Sequence, residues 1–260
     1  MNSAQKQGEL WGQAASDWAT LQETNHIPLF EAMLNAANVS EGTRFFDAGC
    51  GGGGASVLAA QRGAQVSGLD AAEGLIEIAR ARVPSGDFRV GDIQGLPFEN
   101  DAFDAVIAAN SVQFADDTVA ALRELRRVCA STGRIVVALF GPPEKMAWRH
   151  IGGAVRAALP EPPGGKGVFE LSAPGKLEGL IEQAGLQVIE SSEVNCPLDY
   201  PDFETCYLAI TSSGPMRGFV KVLGEEKLRA VIWEAVQPFR SDDSRIEIGP
   251  NMFKYVVAVS

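Results

Sequence analysis

Histidine and cysteine are scarce in this chain, two and four among 260 residues. The cysteines, at positions 50, 129, 196 and 206, make no CxxC pair, and no histidine stands at ligand spacing from them. That argues against a zinc site and a disulfide framework, so no metal is expected and a reduced, cytoplasmic setting fits best. Long apolar runs are missing too: nothing approaches the roughly 20 residues that a bilayer-spanning helix needs. The opening MNSAQKQGELWGQ lacks the basic segment and apolar core of a secretory leader. A soluble protein with no membrane partner is therefore expected. Basic residues are in deficit, 22 Lys and Arg against 33 Asp and Glu, for a net charge of -11. A surface of that sign repels nucleic acid at long range and leaves small molecules as the default partners.

What is present is a chain of ordinary apolar content, 46%, long enough for one large α/β domain or two small ones. Residues 9–37 carry a helical stripe of Leu10, Ala14, Trp18 and Leu21, a break at Pro28, and a second helix with Leu29, Met33 and Leu34. From Thr43 the pattern alternates. RFFDAG, AQVSGLD, DFRVGD, DAVIAAN and RIVVALF read as strands, with helices in ASVLAAQRG, 72–82 and TVAALRELRRVC among them. Such alternation predicts a doubly wound, Rossmann-like parallel sheet with its ligand at the carboxyl ends of the strands. Beyond Phe140 come a helix near 145–158, a proline and glycine loop at 159–167 suited to a flap, a helix over 173–184 and the strand VIESSEV. A helical insert containing EEKLRAVIWEAVQPF precedes a last strand, MFKYVVAV. The expected organisation is one domain over 1–260. It divides into a helical cap (1–40), a cofactor-binding core (41–145), a flap, helix and strand (146–194), a helical lid (195–245) and the last strand (246–260).

The stretch FFDAGCGGGG satisfies GxGxxG through Gly49, Gly51 and Gly54, the turn in which glycines let a ligand approach the backbone. A nicotinamide dinucleotide would bring two phosphates to that turn, and Asp47, two residues before the first glycine, opposes them. A cation is favoured there instead, because an ammonium or sulfonium beside a carboxylate gains Coulomb energy as water leaves. Asp70, 21 positions after Gly49, suits a ribose diol. Asp92, in VGDI, suits an exocyclic adenine amine, with Ile93 packed on the ring. Three acids at successive strand ends fit a nucleoside that bears positive charge and no phosphate.

DAGCGGG led by Asp47, then Asp70, then Asp92 with Ile93, then FDAVIAANSVQF and LRELRRVCASTGRIVVALF together resemble the class I S-adenosylmethionine-dependent methyltransferases, in particular those of ubiquinone and menaquinone biosynthesis. The resemblance is strongest over residues 40–140. It implies a seven-stranded, mostly parallel sheet whose last strand is antiparallel. It implies S-adenosylmethionine as cofactor and S-adenosylhomocysteine as product. On that resemblance Asp47, Gly49 and Gly51 contact the methionine part, Asp70 the ribose, and Asp92 with Ile93 the adenine. Asn110, Ser111 and Gln113 border the methyl group and the methionine end, and Trp11 and Trp18 close over the cofactor.

Plainer readings stand beside these. Each aspartate occurs often in turns, and Trp11 and Trp18 lie two helical turns apart, as core residues do. His26 and His150 are the only candidates for a general base, although a lone histidine is more often structural. Asp116 and Asp117 read as a helix start rather than a metal site. The fourth-strand NSVQ departs from the NPPY-like pattern of base-methylating enzymes, which disfavours a nucleic-acid acceptor. The insert, with Tyr200, Phe203, Tyr207 and Trp233, is expected to choose a small, moderately hydrophobic acceptor. The rival functions are an NAD(P)-dependent oxidoreductase and a non-catalytic nucleoside-binding module.

Overall fold

The computed structural model describes residues 1–161 and 167–260, so most of the expected flap at 159–167 lies outside the described residues. The cap begins with α1 (Ser3–Gly12), whose Asn2 and Gln5 form a reciprocal capping box. A single turn, α2 (Ala15–Asp17), and two irregular turns over Trp18–His26 follow. Helix α3 (Ile27–Ala36) then starts with Pro28 in its first turn, where a missing N–H costs nothing. The expected break at Pro28 is thus a helix start, and the first stripe is interrupted earlier, between Gly12 and Ala15.

Alternation follows as β1 (Arg44–Ala48), α4 (Gly54–Gln61), β2 (Gln65–Asp70), α5 (Glu73–Arg82), β3 (Asp87–Val90) and β4 (Phe103–Ala109). Next are α6 (Thr118–Val128), capped by the Asp117 carboxylate, and β5 (Cys129–Phe140). The C-terminal part contains α7 (Trp148–Ala157), α8 (Lys176–Gln183), β6 (Gln187–Asn195), β7 (Leu198–Tyr200), α9 (Phe203–Thr211), α10 (Gly214–Leu223), α11 (Glu225–Val236), β8 (Ile246–Ile248) and β9 (Met252–Val259). The sheet order is β3-β2-β1-β4-β5-β9-β6, with β9 antiparallel to both neighbours. This is the seven-stranded, mostly parallel sheet with an antiparallel last strand. A separate ladder, β7-β8, was not anticipated: it pairs the two ends of the insert, so Ile246–Ile248 stands apart from the last strand.

The pleat explains how one chain covers both faces. In β4, Ala105 and Ile107 point into one apolar layer with Leu29 and Met33 of α3 and Ala59 of α4, while Val106 and Ala108 enter the other with Leu122 and Leu125 of α6. A third apolar cluster joins α7, the β7-β8 ladder and the three insert helices. No helix among the described residues is long and apolar enough to cross a membrane. The switch point of the strand order, where the chain runs outward from β1 to β3 and then returns to β4, puts the β1 and β4 loops beside each other.

Candidate functional site

A cavity lies at the carboxyl ends of the strands, under α1 and the turns that follow it. Space unfilled by protein amounts to about 1580 Å3, the solvent in its open mouth included. All eleven of the expected cofactor residues line it: Trp11, Trp18, Asp47, Gly49, Gly51, Asp70, Asp92, Ile93, Asn110, Ser111 and Gln113. The two tryptophans meet edge to face at 4.6 Å and pack on Ala72 and Leu75.

The glycine loop is locked by internal hydrogen bonds. Gly49 N and Cys50 N donate to the Leu69 carbonyl at 2.7 and 3.0 Å, and Gly53 N to that of Cys50 at 2.9 Å. Gly51 N donates to Asp70 Oδ2 at 3.0 Å, and Gly52 N to Glu23 Oε1 at 2.9 Å. Each of the five amides is already engaged, two of them by carboxylates. Glycine is required at Gly49 (φ 80°), where an added Cβ would lie 2.3 Å from the Ser111 Cβ, and at Gly51 (φ 54°), where it would lie 2.9 Å from Glu23 Oε1.

Glu23 escaped the sequence reading, having no motif or period to mark it. Its buried carboxylate pairs with Arg82 Nη1 at 2.6 Å. Arg82 also donates to Gly52 O at 2.9 Å and Ala19 O at 2.7 Å, tying cap, loop and α5 into one network. Burial raises the Glu23 pKa, and Arg82 and the backbone of Gly52 and Gly54 oppose that rise.

Asp47 is 2% exposed and accepts a hydrogen bond from Ser56 Oγ at 2.9 Å. Burial pushes its carboxyl up to about 7, with Ser56 opposing and the Glu23 and Asp70 charges adding to the rise. Asp70 holds Gly51 N and Ala72 N, and burial likewise raises its pKa. Asp92 is engaged in a local turn, accepting from Gln94 N at 2.9 Å. Ser111 Oγ donates to the Ala48 carbonyl at 2.7 Å. Asn110, in the left-handed region at φ 51°, leaves its buried Oδ1 without a partner, and both amide atoms of Gln113 are buried and unpartnered. Orphaned polar atoms in a cavity mark places where a ligand completes the hydrogen bonding.

The two histidines part company. His26 is buried, lines the cavity, and is pushed down to about 4 by burial, so it is neutral at pH 7. His150 is exposed on α7, edge-on to Phe239, and is not among the lining residues, so the general-base reading fails for it. The lid aromatics are also misplaced by the sequence reading. Tyr200 is buried with its hydroxyl on Gln22, Phe203 and Tyr207 pack with the insert's own core, and Trp233 meets the Phe203 ring edge to face at 4.8 Å. From the insert and its ladder the cavity receives Leu198, Ile210, Ser213 and Pro215, and the aromatic lining opposite the acids comes from Phe140, Trp148 and Phe253 instead. Cys50 is no nucleophile: burial and the adjacent carboxylates hold its thiol well above the usual range.

Residues 46–137 match the protein family described as "Methyltransferase domain". Over these residues the chain is similar to methyltransferase domains. That family uses S-adenosylmethionine as methyl donor. An uncharacterised protein of Mycobacterium tuberculosis is 37% identical over 128 residues, 48% of this chain and 47% of that protein. The malonyl-[acyl-carrier protein] O-methyltransferase of Serratia marcescens is 34% identical over 136 residues, 50% of this chain and 53% of the enzyme. The chain spans about half the length of the curated relatives it matches. The YcgJ protein of Bacillus subtilis shares this chain's fold at a TM-score of 0.59 and 18% identity, over 89% of this chain and 97% of that structure.

Proposed function

We propose that this chain binds S-adenosylmethionine and transfers its methyl group to a small, moderately hydrophobic acceptor by in-line displacement. The observation that carries the proposal is the state of the glycine loop. Its amides are spent on internal carbonyls, Asp70 and Glu23, which leaves no cradle for a diphosphate and surrounds the loop with negative charge. The same arrangement favours a positively charged nucleoside. The cofactor, when bound, supplies an electrophilic methyl group on a sulfonium.

The roles proposed for the chain's own residues follow from this. Asp47, poised by Ser56, meets the positive methionine end, Asp70 takes the ribose hydroxyls on its remaining lone pairs, and Asp92 with Ile93 takes the adenine. Asn110 and Gln113 complete their unmet hydrogen bonds at the methionine end. Trp11, Trp18 and the turns around Glu23 exclude water, which strengthens each charged contact. His26 is the one histidine lining the cavity among the described residues, and, neutral with its pKa pushed down to about 4, it is suited to accept a hydrogen bond from an acceptor hydroxyl rather than to take its proton outright. A malonyl-type acceptor, as the Serratia relative's name would suggest, is not adopted, since no Lys or Arg lines the cavity among the described residues to hold its carboxylate.

The test uses the Asp47 carboxyl. Its pKa near 7 in the free protein means that binding a cation must expel a proton below that pH. Titration calorimetry with S-adenosylmethionine should therefore show affinity falling about tenfold per pH unit below pH 7 and levelling above it. Asp47→Asn should remove that slope. An affinity independent of pH between 5.5 and 7 would show that this carboxylate does not meet the positive end. The apo protein should show the converse linkage: because the folded pKa is raised, Asp47 contributes stability in full below about 4 and loses it as pH rises through about 7.

A further inference from the structure

The proposed cofactor carries one negative group, the carboxylate of its methionine end, and the cavity offers that group no cation. The charged side chains among the described lining residues are Glu23, Asp47, Asp70 and Asp92, all acidic. The ligand as a whole is positive, through its sulfonium and ammonium, so these acids still hold it. Its carboxylate must be met by neutral N–H or O–H donors, because a charge stripped of water and left without hydrogen bonds is strongly disfavoured. Several lining donors are already spent. Ser111 Oγ donates to the Ala48 carbonyl at 2.7 Å, Asn251 Nδ2 to that of Ile248 at 2.7 Å, and Trp11 Nε1 to Gln7 Oε1 at 3.1 Å.

Gln22 is differently placed. It stands one residue before Glu23, which holds Gly52 N, and four after Trp18, whose Nε1 would lie 3.4 Å from a Cβ on Gly51. The turn that carries it therefore rests on the glycine loop. Gln22 lines the cavity and is 7% exposed. Its Oε1 accepts the hydroxyl of Tyr200, a fully buried residue of β7. A primary amide has one oxygen and one N–H2 group, so fixing the oxygen on Tyr200 turns the N–H2 the other way. No protein group among the described residues takes that N–H2 as a donor. Resting on the methyl-transfer reading above, we infer that the Gln22 amide N–H2 binds the carboxylate of the cofactor's methionine end, with Tyr200 as the residue that positions it. The insert thereby takes part in cofactor binding through one hydrogen bond between residues 178 positions apart.

The test is titration calorimetry on the full chain with S-adenosylhomocysteine and with its decarboxylated analogue, in which hydrogen replaces the carboxylate. The unaltered chain should bind S-adenosylhomocysteine at least about tenfold tighter than the analogue, the worth of a hydrogen bond to a charged group. Gln22→Glu keeps an acceptor for Tyr200 but replaces the donor with a negative charge. It should reverse the preference, weakening S-adenosylhomocysteine by about tenfold or more while the analogue binds as tightly or tighter. Tyr200→Phe frees the amide to turn, and should weaken S-adenosylhomocysteine by about threefold to tenfold and the analogue by less than about twofold. Circular dichroism reports the folding of both variants, and Tyr200→Phe carries the test should the charge of Gln22→Glu unfold the chain. Equal binding of the two ligands by the unaltered chain overturns the inference. So does an equal loss of both ligands, or no loss of either, in a folded variant; each of these leaves the methyl-transfer reading standing. Failure of the unaltered chain to bind S-adenosylhomocysteine overturns both.

Discussion

Asp70→Ala is expected to lower affinity for S-adenosylhomocysteine by about 10²–10⁴, with the chain still folded. The Asp70 carboxylate holds the loop through Gly51 N at 3.0 Å and Ala72 N at 2.9 Å, and in the proposed function its remaining lone pairs take a ribose diol. Hydrogen bonds to a charged acceptor contribute roughly 1.5–3 kcal/mol each. Two of them lost is about 3–6 kcal/mol, which is the affinity range given. The residue is only half-buried, so water reaches the freed amides and the fold should survive. Calorimetry, with circular dichroism as the control for folding, checks both halves. A well-folded variant that keeps its affinity within about fivefold would remove Asp70 from the cofactor site.

Glu23→Ala should produce the largest loss of stability of any single change in the cap. The side chain is 4% exposed, and its removal strands Arg82 and the Gly52 amide together. Breaking a buried pair typically costs about 3–5 kcal/mol. Arg82 is partly open to water, with 28% of its side chain exposed, so the low end, about 3 kcal/mol, applies. A fall in Tm of about 6–12 °C follows for a chain of this size. Glu23→Gln keeps an acceptor for Gly52 N while losing the charge, and should cost less than half as much. Because Glu23 shapes the glycine loop from outside, both variants should also weaken cofactor binding in the same order. Urea denaturation and calorimetry on the pair check this; equal effects of Ala and Gln would mean that the charge on Arg82's partner carries the whole contribution and the acceptor for Gly52 N none.

The order of strands and helices was readable because each element carries its own signal. Apolar alternation marks β4 on both faces, and the Asp117 cap and arginine-flanked stripe mark α6. The acids at the ends of β1, β2 and β3 could be placed together because the doubly wound topology brings successive strand ends to one crevice, and all three line it. What escaped was non-local. Glu23 reaches the loop across 29 positions, and nothing in the local pattern of the cap distinguishes it from a solvated acid. The aromatic wall combines residues from β5, α7 and β9, separated in sequence by as much as Phe140 is from Phe253. The insert's aromatics were assigned to the lid on composition, but Tyr200 and Tyr207 are buried in its core and Phe203 packs against it, because a small helical unit must bury large side chains against itself first. His150 fell on the outer face of the helix expected near 145–158, whose rotation the sequence did not show.

The most direct trial of the account is a thermal-shift comparison of the purified chain with S-adenosylhomocysteine and with NADH, each at the same saturating range. Ligands that bind only the native state raise the Tm by mass action. A glycine loop already closed by Asp70 and Glu23 predicts a rise with S-adenosylhomocysteine and none with NADH. Stabilisation by NADH with no response to S-adenosylhomocysteine would contradict it.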